Sequence, residues 1–124
     1  MVTSGTSLIT EVIDIMDETK ICNNPGDFPA LVSWTTGGLV DGKPIVCGGQ
    51  DSVPAYKKEC YILEDNIWKL LTSLNEPRSQ ASGTVLNGNH LWITGGISPS
   101  TYYIVTKISK PKYYHRHTMI TLIN

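Results

Sequence analysis

The sequence predicts an all-β fold of antiparallel strands, and three observations carry that prediction. Short β-branched and aromatic runs are separated by Gly, Pro, Asn, Asp and Ser along most of the chain. Two dipeptides suited to tight hairpins, Asp41-Gly42 and Asn87-Gly88, each stand just before an apolar run. Both of those runs then stop on two glycines, Gly48-Gly49 and Gly95-Gly96, 47 residues apart.

The elements follow in order. Strands are predicted over 10–15, 30–36, 44–47, 59–63, 67–71, 80–86, 90–94 and 102–108. In the first, "TEVIDI", the β-branched Val12, Ile13 and Ile15 favour a strand over a helix. "ALVSWTT" and "PIVC" lie either side of Asp41-Gly42, whose residues tolerate the positive φ of a tight turn. "ECYIL" and "IWKLL" are parted by Asp65-Asn66, which breaks any helical reading of 57–71 and suits a second turn. "QASGTVL" and "HLWIT" repeat the hairpin around Asn87-Gly88, and "YYIVTKI" closes the series.

Bulk composition narrows the function classes. With 124 residues the chain is at most one domain of ordinary size. Its 40% hydrophobic content suits a folded chain. Ten Lys plus Arg against eleven Asp plus Glu leave a net charge of −1, without the basic excess expected of a nucleic-acid binder. No apolar stretch approaches the ~20 residues of a membrane-spanning helix. Glu11 and Asp14 interrupt the N-terminal apolar run, so no signal peptide is expected.

The order of features narrows the architecture. After Gly48-Gly49 come a loop, Tyr61, six intervening residues and Trp68, then Arg78 ahead of the next hairpin and Gly95-Gly96. A period near 45–50 residues with about four strands per period points to a propeller or a solenoid. This series resembles the kelch repeat, which implies antiparallel four-stranded blades of a β-propeller. The resemblance assigns repeat-structural roles to Gly48, Gly49, Tyr61, Trp68, Arg78, Gly95 and Gly96. It implies that the glycines turn the chain out of a crowded strand and that Tyr61 and Trp68 pack across a blade.

On this reading residues 1–29 hold the end of a preceding blade, with Ser4-Gly5 in place of a glycine pair, and a linker. A complete blade occupies 30–74 and a partial blade 75–109, where the expected Trp is replaced by Ser109 or Lys110. A divergent tail covers 110–124. The ring is therefore expected to be incomplete. Either the chain is part of a longer propeller or several copies close a ring together.

Cys47 and Cys60 would face each other if their strands pair, giving a cross-strand disulfide or two buried thiols. A bridge would imply an oxidising compartment, and an extracellular parent, with Cys22 left over. His115 and His117 could share one side of a strand, but no third metal ligand is evident, so no metal site and no cofactor are expected. Asp14, Asp17, Glu18, Glu64 and Asp65 read as solvated carboxylates. No Gly-x-Ser-x-Gly, P-loop or dinucleotide motif is present.

The resemblance accordingly implies a non-enzymatic module for binding or scaffolding proteins. Its loops at 50–58 and 97–101, which follow the glycine pairs, would present the binding surface. Two other readings stay open: a substrate adaptor of a ubiquitin ligase, or part of a secreted enzyme like galactose oxidase, with Tyr113 and Tyr114 near the histidines.

Overall fold

The computed structural model describes residues 2–3, 8–17, 19–52, 55–99 and 105–109. All regular structure among them is β, with every strand pair antiparallel and no helix. A short pair, β1 (Val2–Thr3) with β2 (Thr10–Glu11), comes first. A four-stranded sheet follows in the order β3 (Thr36–Val40), β4 (Lys43–Cys47), β5 (Glu59–Glu64) and β6 (Ile67–Ser73). The third sheet is three-stranded: β7 (Ser82–Leu86), β8 (His90–Thr94) and β9 (Val105–Ser109). The sheets are successive meanders in the chain, and they do not close on themselves.

Turn chemistry sets the meanders. Asp41 and Gly42 join β3 to β4 at φ 48° and 73°, and Asn87 and Gly88 join β7 to β8 at 54° and 71°. Asp65 and Asn66 join β5 to β6 at 53° and 59°. Positive φ at both central residues gives the two-residue turns at 41–42 and 65–66 a twist that matches the strands they join, whereas the β7–β8 connection also takes in Asn89, three residues between Leu86 and His90. The two Gly-containing turns also touch, since Asp41 N donates to Gly88 O at 2.7 Å.

Burial alternates along the central strands with the period of two that a pleated sheet requires. Ile45, Cys47, Cys60 and Ile62 face one way and form a core with Val40 and with Leu91 and Ile93 of β8. Val46 and Trp68 face the other way and pack with Phe28 and Val32 of the segment before β3. The four-stranded sheet is thus apolar on both faces. At ~25 cal/mol per Å² of apolar surface removed from water, both faces contribute to stability.

The second face is pinned by a hydrogen bond as well as by packing. Trp68 Nε1 donates to Thr10 Oγ1 at 3.0 Å, and Thr10 is only 1% exposed. Trp68→Phe is expected to cost about 1–2 kcal/mol in urea unfolding, because the buried hydroxyl loses its donor. An unchanged unfolding midpoint would show that this bond contributes nothing net.

Several strand boundaries differ from the sequence expectation. The run at 30–36 is strand only at its last residue, Thr36: before it only Ser33 pairs, in an isolated bridge to Gln50, and Trp34 turns the chain at φ 62°. The first strand of the sheet lies later, at Thr36–Val40, through Gly37 and Gly38. Its counterpart starts at Ser82 rather than 80, after Gln80 at φ 56°. Of 10–15 only Thr10–Glu11 is strand, and of 102–108 the described strand is Val105–Ser109.

Candidate functional site

The two glycine pairs hold equivalent places, each directly after the second strand of its sheet. Gly48 and Gly49 adopt φ 66° and 104°, and Gly95 and Gly96 adopt 68° and 89°. These angles lie in the region that glycine enters without steric cost. After each pair the chain is caught by bridging, Gln50 to Ser33 and to Tyr56 in the first case and Ile97 to Ser79 in the second. The loops at 50–58 and 97–101 therefore leave from matched, pinned bases. Residues 53–54 and 100–101 lie outside the described residues.

Arg78 ties the two bases together. Its backbone O accepts from Gly49 N at 2.8 Å and its backbone N donates to Lys57 O at 2.9 Å. Its side chain crosses to the second pair, where Nη1 donates to Gly95 O at 3.0 Å. The residue is 2% exposed, and burial lowers its pKa while the nearby Glu76 acts against that.

Cys47 and Cys60 stand opposite each other in the β4–β5 register and are disulfide-bonded, with Cα atoms 4.0 Å apart. The bridge is buried within the core shared by the two larger sheets. Cys22 is a free, partly exposed thiol. A thiol-reactive dye should therefore label one cysteine per native chain, and three after unfolding with reductant. Three labels on the native chain would contradict the bridge.

A cavity of 230 Å³ opens beside the first loop base. Phe28, Ala30 and Val32 form its apolar side, and the other side comes from Lys57, Glu59 and Tyr61. Those three side chains share a face because successive residues of an extended chain alternate. Gly48 completes the lining. Phe28 meets both Tyr61 and Trp68 edge to face, with ring centroids 5.3 and 5.0 Å away. Such aromatic pairs each contribute about 0.5–1.5 kcal/mol beyond area burial.

The cavity rim is charged. Lys57 Nζ pairs with Asp51 Oδ2 at 2.8 Å, and this partner raises the Lys57 pKa. Burial first, then the Glu59 carboxylate, raises the Tyr61 phenol above its ordinary value of 10.0, with Lys57 opposing. A phenol whose folded-state pKa is raised contributes stability fully below the unfolded value. That contribution is lost as the pH climbs through the folded value. Tyr61→Phe is therefore expected to flatten the stability profile above about pH 10. An equal alkaline slope in both proteins would mean that Tyr61 is not its source.

The carboxylates read as solvated do lie at the surface, engaged with neighbours. Asp14 pairs with Lys20 at 3.0 Å, Asp17 accepts from Thr19, and Glu64 pairs with Lys43 and Lys69. Asp65 pairs with Lys69 at 3.2 Å. Glu18, His115, His117, Tyr113, Tyr114 and the Ser4-Gly5 pair lie outside the described residues. Among the described residues no cluster of three or more His, Cys, Asp or Glu is placed to hold a metal ion. No described helix is long and apolar enough to cross a membrane. Phe28 escaped the sequence reading, being a single aromatic in a Pro-, Asn- and Gly-rich segment with no periodicity to mark it.

Compared with known proteins, the chain matches no family model and no curated protein.

Proposed function

We propose that this chain is built from kelch-type blades and serves as a non-enzymatic module that binds or scaffolds other proteins. The observation that carries this reading is Arg78, which contacts both glycine pairs and so holds the bases of two loops side by side. A rigid sheet frame with adjacent loops suits recognition, since the frame absorbs the entropic cost of ordering and the loops carry specificity. The repeated hairpin, glycine pair and bridge support the blade assignment.

The disulfide bears on the two rival readings. Buried bridges persist in oxidising compartments, which favours an extracellular scaffold over a cytosolic ligase adaptor. The oxidase reading needs copper, so metal analysis of the purified protein separates it.

Site-specific photo-crosslinkers at Gln50 and Ile97 test the proposal, with one at exposed Ile67 on β6 as control. Partner crosslinks confined to the two loop positions support it. Crosslinks equally strong from Ile67 would count against loop-borne recognition.

A further inference from the structure

Resting on that binding-module reading, we propose that the Phe28–Tyr61 cavity is a socket for one cationic side chain, lysine or arginine, of a partner peptide. Its volume of 230 Å³ lies below the ~300–1,000 Å³ of cavities that take whole small-molecule ligands. It suits a single long side chain instead. Phe28, Ala30 and Val32 offer an apolar wall for an aliphatic stem. Long cationic side chains bury such stems while keeping the charged head at a polar rim.

The rim selects the charge. Lys57 and Asp51 neutralise each other across 2.8 Å. Glu59 carries the remaining charge: its carboxylate accepts only the backbone N of Lys58, at 3.1 Å, and forms no ion pair among the described residues. The Tyr61 hydroxyl has no hydrogen-bond partner among the described residues, and its ring forms the neighbouring wall. An ammonium or guanidinium entering there meets a carboxylate, a phenol hydroxyl and an aromatic ring. All three attract a cation.

The test uses the full chain and three blocked tripeptides, Gly-X-Gly, where X is lysine, Nε-acetyl-lysine or norleucine. Binding is followed by NMR shifts of the Phe28, Val32 and Tyr61 side chains. The lysine peptide is expected to shift these resonances and to bind about fivefold more tightly than the other two, as expected of a partly exposed charge contact. Glu59→Gln should erase that preference, and Lys57→Met should strengthen lysine binding by removing a like charge. Equal binding of lysine and norleucine would overturn the assignment, as would a cavity silent to all three or weaker lysine binding by the Lys57→Met protein. If the loop crosslinks persist while the cavity ignores lysine, the binding-module reading survives and only the socket fails.

Discussion

Gly48→Ala is expected to cost 3 kcal/mol or more, a large part of the ~5–15 kcal/mol by which domains are ordinarily stable. A Cβ at this position would lie 2.5 Å from the carbonyl oxygen of Arg78 and 3.5 Å from that of Lys57. Real Cβ atoms do not approach backbone oxygen that closely, so one chain must move. Arg78 cannot easily yield, because its O accepts from Gly49 and its N donates to Lys57 O. Moving it would also draw its guanidinium away from Gly95. To this clash is added the ~1–2 kcal/mol that a side chain pays at φ 66°.

Gly42→Ala is the matched comparison. Gly42 has φ 73°, but a Cβ there would find nothing within 4 Å. Only the backbone preference is lost, about 1–2 kcal/mol. Urea unfolding of the two variants separates close approach from conformation. If both lose the same amount, the glycine pair is a turn element and no packing constraint operates at Gly48.

The second large effect concerns the disulfide. Replacing Cys47 and Cys60 together with alanine is expected to lower stability by about 3 kcal/mol. In the loop-entropy account, a bridge closing about 15 residues contributes roughly that much, and these cysteines are 13 apart. Both are also at most 1% exposed, within the core that includes Ile45, Ile62 and Leu91. Removing the sulfurs leaves unfilled space there, which adds to the cost. The double serine variant should be worse than the double alanine, because it buries two hydroxyls with few partners. Chemical denaturation of the two variants checks this order. A double alanine within 1 kcal/mol of the parent would show that neither the covalent link nor its packing supports the fold.

What the sequence made legible was local. Asp41-Gly42, Asp65-Asn66 and Asn87-Gly88 announce their turns because their own side chains, or lack of them, decide whether φ can be positive. Once those turns and the strand content are read, the order of antiparallel neighbours follows. Cys47 and Cys60 were legible only conditionally: residues 48–58 intervene between their strands, and the observed β4–β5 register is what sets them opposite each other. The repeat of Gly48-Gly49 in Gly95-Gly96 was visible for the same reason as the turns: each pair serves its own stretch of backbone.

The misplaced strand shows where local reading stops. Ala30–Thr36 is rich in residues that favour strands, whereas Gly37 and Gly38 disfavour them. The strand nevertheless runs through the glycines. A Cβ on Gly38 would lie 2.5 Å from Val85 of β7, and one on Gly83 would lie 2.8 Å from the carbonyl oxygen of Gly37. Close contact between the two sheets outweighs propensity, and only glycine permits it.

Sequence alone thus determined the β class, the hairpins and the repeated glycine pair, all set within a few residues or across one turn. Only the tertiary structure decided that both faces of the four-stranded sheet are buried, that Arg78 joins two loop bases, and that Phe28 closes a cavity with Tyr61. The Arg78 and Phe28–Tyr61 contacts join segments from 17 to 33 residues apart in sequence, and the bond from Trp68 to Thr10 on the second sheet face spans 58. No local preference encodes them: burial of apolar surface and satisfaction of backbone hydrogen bonds select the arrangement only when the whole chain is packed.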